Sequence, residues 1–134
     1  MRRRFMDTSY ILALSNPGDK NFLVANALSY KWEGFPTLTT DAVLLEVGNG
    51  LARIERKLAV SVAEELLTSE DVLVVRLTPE YFDRALQKYR VFQDKKWGLV
   101  DYFSFVVMEE QGERRLPLMS ILRRRDLYNY DNAI

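Results

Sequence analysis

Asp71-Val72-Leu73-Val74-Val75-Arg76-Leu77-Thr78-Pro79-Glu80 is the stretch on which the fold turns. Val72 to Val75 is a nearly continuous apolar run rich in β-branched residues, as in a strand buried on both faces of a sheet. Thr78 then offers a helix N-cap. Pro79 suits the first helical position, where its missing N–H costs nothing. Reading outward, the same alternation recurs. Upstream, Phe35-Pro36-Thr37-Leu38-Thr39 follows Gly34 and reads as a strand. Thr40-Asp41 can cap a helix carrying Val43, Leu44, Val47, Leu51, Ile54 and Leu58 on one side. Val60 to Leu67 forms a further helical piece. Residues 3–7 read as a first strand. Thr8-Ser9 starts a short helix through Tyr10 to Leu14, and Ser15-Asn16-Pro17-Gly18-Asp19 is a turn cluster. From Asp19 to near Gly34, Phe22, Leu23, Ala27 and Tyr30 recur at helical spacing. Downstream, the helix opened by Thr78 runs to about Val91. Leu99 to Glu110 is apolar almost all round and predicts a buried helix. Leu116-Pro117-Leu118-Met119 is a candidate last strand. Strands alternating with helices imply an α/β fold, with a mostly parallel central sheet and helices on both sides.

The composition narrows the chemistry. A chain of 134 residues suits one domain, and 48% apolar residues supply a core, which excludes general disorder. Lys+Arg and Asp+Glu number 19 each, so net charge points to no class of partner. The basic clusters Arg2-Arg3-Arg4, Lys95-Lys96, Arg114-Arg115 and Arg123-Arg124-Arg125 read first as solvated surface. With no Cys, disulfide and thiol chemistry are excluded. With no His, a Ser-His-Asp triad and an imidazole base are excluded. The basic start is interrupted by Asp7 before any apolar signal core, and no apolar run reaches the ~18 residues of a membrane span. The expectation is a soluble cytoplasmic protein.

Three carboxylates stand in unusual places. Asp7 ends the first strand, Glu46 interrupts the pattern Val43-Leu44-Leu45-Glu46-Val47, and Asp101 opens the most apolar helix. A lone buried carboxylate costs several kcal/mol unless it is paired, protonated or bound to a cation. Each also has a plainer reading. Asp7 is well placed as an N-cap. Glu46 lies beside the apolar stripe and could reach solvent, with Gly50 one turn on leaving room above it. Asp101 sits where a helix dipole favours an acid. Asp94, in the preceding loop, can orient a group of the site or cap that helix. Taken together, the three acids suggest one pocket at the carboxyl ends of the strands, where open parallel sheets hold their ligands. Without His or Cys, such a pocket offers oxygen ligands and suits Mg²⁺ or Mn²⁺. That is the equipment of a metal-dependent phosphodiesterase.

These residues resemble the PIN-domain nucleases and, within them, the VapC-type toxins of bacterial and archaeal toxin–antitoxin pairs. The resemblance rests on Phe5-Met6-Asp7-Thr8-Ser9-Tyr10 and on Thr39-Thr40-Asp41-Ala42-Val43-Leu44-Leu45-Glu46-Val47-Gly48-Asn49. Its most specific part is Asp94-Lys95-Lys96-Trp97-Gly98-Leu99-Val100-Asp101 with Ser104-Phe105-Val106-Val107-Met108. It implies a three-layer α/β/α PIN-like sandwich and a Mg²⁺- or Mn²⁺-dependent endoribonuclease. Asp7, Glu46 and Asp101 match the family's acidic positions as catalytic residues and metal ligands, with Asp94, Thr8 and Ser104 supporting them. It further implies an RNA substrate, an antitoxin protein and a homodimer, and no membrane partner. Two other readings compete. One is a non-catalytic module of the same fold that binds an antitoxin or RNA. The other is a different Mg²⁺ enzyme using Asp7 as a phosphoacceptor, which the lack of an Asp-x-Asp motif after the first strand disfavours.

The resemblance ends near the C-terminus, dividing the chain into a PIN-like domain over residues 1–120 and an atypical tail over 121–134. Relatives continue with a strand, a fourth acid, His-Phe and a short Ala-Gly-Phe segment. Here Ser120 falls where that acid is expected. Leu116 to Asn132 can be back-translated with permitted codons and read from the third base of each. One allowed result is Ala-Thr-Tyr-Glu-His-Phe-Glu-Glu-Ala-Gly-Phe-Val-Gln-Leu, then a stop, with Glu in the acidic position. The tail is therefore expected to be the product of a frameshift, and codons in the gene incompatible with that alternate frame would refute the idea.

Overall fold

The structure, a computed structural model, describes residues 3–94 and 96–111. The expected last strand Leu116–Met119, Ser120, the tail from Ile121, Lys95 and the clusters at Arg114-Arg115 and Arg123–Arg125 lie outside the described residues. Three parallel strands form one sheet in the order β1 (Arg4–Phe5), β2 (Thr37–Thr40), β3 (Val72–Val75). Between β1 and β2 run α1 (Thr8–Ser15) and α2 (Phe22–Lys31), and between β2 and β3 run α3 (Asp41–Ala52) and α4 (Arg56–Thr68). After β3 come α5 (Pro79–Val91) and α6 (Leu99–Gln111). Helix α1 packs on α2 and α3, α3 on α4, and α5 on α6. This is the α/β sandwich with a parallel sheet that the alternation of elements predicts. Among the described residues, no helix is long and apolar enough to cross a membrane.

The core follows from local patterning. Phe5 and Leu38 pair in register across β1 and β2, and both are fully buried. They meet Val43, Val47 and Leu51 of α3 and Tyr102, Phe103, Phe105, Val107 and Met108 of α6 in one apolar cluster. Each such side chain contributes roughly 1.5–3 kcal/mol of transfer free energy. The helix starts are capped as their sequences predict. Thr40 Oγ1 accepts from Val43 N at 3.1 Å, and Thr78 Oγ1 accepts from Tyr81 N at 3.2 Å with Pro79 in the first turn. Gly34, at φ 82°, takes the left-handed conformation that turns the chain from α2 into β2.

Four expectations are corrected. The apolar row Leu23, Ala27 and Tyr30 of α2 faces solvent, with Leu23 80% and Tyr30 71% exposed. The smaller face, Ala25 and Leu28, is the one buried. The helix from Asp41 breaks at Arg53–Glu55, so Ile54 is exposed and Leu58 belongs to α4. β3 is only half buried and Leu73 is exposed, because β3 has a single strand neighbour among the described residues. Gly50 makes room for Leu12 of α1 rather than for Glu46. A Cβ at Gly50 would lie 2.9 Å from Leu12 Cδ2, so the glycine sets how closely α1 and α3 approach.

Arg3 and Arg4 are also not a loose basic surface. Arg3 Nη1 donates to the carbonyls of Thr37 (3.1 Å) and Asp71 (3.2 Å), tying the chain's start to β2 and to the approach to β3. Arg4 lays its guanidinium 3.5 Å from the centre of the Trp32 ring, a cation–π contact that locks the end of α2 against β1.

Candidate active site

Two of the acids, Asp7 and Glu46, come near one another beyond the carboxyl ends of β1 and β2. Asp7 follows β1 and is 4% exposed. It is the N-cap of α1, accepting from Tyr10 N through Oδ1 at 2.9 Å, so the plain reading of Asp7 as a cap holds alongside any other role. Its position is set from β2. Met6 N donates to Leu38 O at 2.8 Å, and the buried Thr39 hydroxyl donates to Met6 O at 2.9 Å. Thr39 received no role from the sequence. The signal was a polar β-branched residue at a position the sheet period buries, where a hydroxyl must find a partner.

Glu46 lies on an exposed part of α3, six residues into the helix from Asp41. Its Oε1 accepts from Thr8 Oγ1 at 2.6 Å. Because Thr8 is the residue after Asp7, this one bond brings the second acid next to the first, across 38 residues of sequence. Thr8 thus meets Glu46 through its side chain. Asp41 supplies a further carboxylate at this edge, but it is used structurally. Both of its oxygens accept from Leu77 N, at 3.1 and 3.0 Å, fastening the exit of β3 to the start of α3.

Asp101 sits at the third position of α6, half buried. Its Oδ2 accepts from Gly98 N at 2.9 Å, reaching back over the helix start as the acidic half of a capping box does. Asp94 lies in the turn after α5 and is exposed. Asp94 and Asp101 both oppose ionisation of the buried Tyr102 phenol, whose pKa is raised first by desolvation and then by these charges. Ser104 is buried, and its hydroxyl donates to Val100 O at 3.0 Å, one turn back in its own helix. The structure thus joins Glu46 to Thr8, the neighbour of Asp7 in the chain, while the Gly98–Asp101 bond lies within the start of α6. Among the described residues, no group of three or more Asp, Glu, His or Cys is gathered closely enough to hold a metal ion. In chemistry the donors fit a hard divalent cation: carboxylate and hydroxyl oxygens, with no nitrogen or sulfur competitor.

No protein-family model matches the chain, and neither does any curated protein. Among solved structures, the chain is similar to Mycobacterium tuberculosis VapC20, a toxin that cleaves the sarcin–ricin loop. The identity is 27% and the TM-score 0.75, over 82% of this chain and 84% of that one. That toxin is of the type that the three acidic motifs resemble. The chain thus has a VapC PIN-like fold, and the likeness supports the family resemblance of its acidic motifs.

Proposed function

We propose that the chain is a Mg²⁺- or Mn²⁺-dependent endoribonuclease, the toxin of a toxin–antitoxin pair, acting through Asp7, Glu46 and Asp101. The observation that carries this reading is the Thr8–Glu46 hydrogen bond beside the buried Asp7, in a fold shared with an RNA-cleaving toxin. Asp7 and Glu46 would hold the cation, with Asp101 joining them. A divalent cation at such a site polarises the phosphodiester and acidifies a bound water. The residues themselves supply orientation. The Tyr10 amide and the first turn of α1 fix the Asp7 carboxylate, and the Thr8 hydroxyl fixes Glu46. With no histidine in the chain, proton transfer falls to carboxylates and water. The partners in this reading are RNA, an antitoxin and a second copy of the chain. The solvent-facing Leu23 and Tyr30 of α2 give a protein partner apolar surface to cover.

The test is cleavage of total RNA with and without Mn²⁺, by the wild type and by Asp7→Asn. Asparagine keeps an oxygen for the Tyr10 amide, so the helix cap survives while the charge is lost. Cleavage should require metal and fall at least about a hundredfold in the variant. Metal-independent cleavage, or equal cleavage by Asp7→Asn, refutes the reading.

A further inference from the structure

Where α5 ends and α6 begins, a cleft of about 630 Å³ opens on the surface. Tyr89, Phe92 and Trp97 line it with aromatic rings, and Arg90, Lys96 and Gln93 add two cations and an amide. Gly98 completes its rim, and the Gly98 amide is the group that Asp101 holds. The cleft is therefore continuous with the start of α6, where one of the three acids sits. Its aromatic walls are braced from behind by the fully buried Tyr102. Phe92 stacks on that ring at 6.3 Å and 4°, and Tyr89 and Trp97 meet it edge-on at 5.9 and 6.0 Å. Trp97 is nearly buried, whereas Tyr89 is 46% exposed and Phe92 partly so, leaving these two rings open to a ligand.

We propose that this cleft binds one unpaired nucleotide of the RNA substrate. Its base lies against Tyr89 and Phe92, and its phosphate against Arg90 and Lys96, next to the phosphodiester cleaved at the acidic site. The inference rests on the ribonuclease reading and adds a binding subsite to it. Rigid aromatic faces beside cations are how proteins hold single-stranded nucleic acid, since every base presents a π-face and every linkage a negative charge. A paired base offers no free face, so duplex RNA is excluded from the cleft. The size falls in the ordinary range for small-ligand sites. The charge also sets this cleft apart from the apolar outer row of α2.

The experiment uses the full chain and a short fluorescein-labelled oligouridylate. Binding is read by anisotropy in EDTA, so that no cleavage occurs, and cleavage is read separately with Mn²⁺. Tyr89→Ala should weaken binding on the order of tenfold, while Tyr89→Phe, which keeps the ring, should bind like wild type. Arg90→Ala should weaken binding and reduce the salt slope by about 0.7. Both residues are exposed, and unchanged melting temperatures confirm that the variants fold. Wild-type affinity in both Tyr89→Ala and Arg90→Ala overturns the subsite, and that is the outcome if a partner protein fills the cleft instead. If those variants keep full affinity while the wild type cleaves RNA, the cleft fails and the nuclease stands. If the wild type binds RNA through Tyr89 yet never cleaves it, the nuclease fails and the cleft stands. A wild type that neither binds nor cleaves overturns both.

Discussion

Replacing Asp101 separates the two tasks assigned to its carboxylate. Oδ2 accepts from Gly98 N at 2.9 Å, and the residue lies in the first turn of α6, where negative charge is favoured. Asparagine retains an acceptor for Gly98 and loses the charge; alanine loses both. The charge term at a half-exposed helix start is roughly 0.3–1 kcal/mol, and the capping bond is worth about 1 kcal/mol. For a domain of this size, 1 kcal/mol moves the melting temperature by about 3–5 °C. Asp101→Asn should therefore melt about 2 °C below wild type, and Asp101→Ala about 6 °C below. Activity should not follow that order. If Asp101 joins the cation site, both variants lose metal-dependent cleavage of a fluorogenic RNA by about a hundredfold or more, because the amide cannot replace the charge. The refuting result is an Asp101→Asn protein that cleaves at close to the wild-type rate, which would leave Asp101 as a cap and nothing else.

Three further outcomes follow from the packing. Thr39→Val removes the buried hydroxyl that holds Met6 O and should cost roughly 1–3 kcal/mol in urea denaturation, with cleavage falling about tenfold as Asp7 loses its anchor. Gly50→Val should cost roughly 1–3 kcal/mol by forcing Leu12 away, and a second change, Leu12→Ala, should recover part of that loss on the same denaturation curve. The Tyr81 phenol is raised above its ordinary pKa, first by its hydrogen bond to Glu110 and then by burial. Its share of stability is thus complete below about pH 10 and is lost as pH rises through the folded value. Melting across that range should show a shallower alkaline decline in Tyr81→Phe, and an identical slope would remove Tyr81 from the account.

The parts of the fold that local chemistry governs were legible in the sequence. Thr78-Pro79 and Thr40-Asp41 mark helix starts because capping is decided by a few neighbouring atoms. The run from Tyr102 to Met108, apolar but for Ser104, could lie only inside. What depends on distant neighbours was not legible. Leu23, Ala27 and Tyr30 form as good a helical row as any in the chain, yet the face that α2 buries is the smaller one with Ala25 and Leu28. Arg3 and Arg4 look like surface charge until Trp32 and two backbone carbonyls, one of them 68 residues away, are brought to them. At the site, residue type singled out Asp7, Glu46 and Asp101. The Thr8–Glu46 bond and the Thr39 anchor required the folded chain, because each joins segments more than 30 residues apart.

The parallel ladder also sets the order in which the molecule can come together. Arg4 pairs with Thr37 and Thr37 with Val72, so each pairing must close a long loop before any contact repays the entropy. β2 and β3 pair over four residues and are bridged by two helices that pack on each other, whereas β1 pairs over two. Of the three described strands, β1 has the shortest ladder and is the natural one to dock last. Until it docks, Asp7 and Thr8 are not delivered to Glu46. The pairing of Thr8 with Glu46 should then have its own opening equilibrium, shallower than global unfolding. Amide exchange at Met6 faster than at Leu38 would reveal it. Mild denaturant would then open the Thr8–Glu46 contact while most of the sheet still stands.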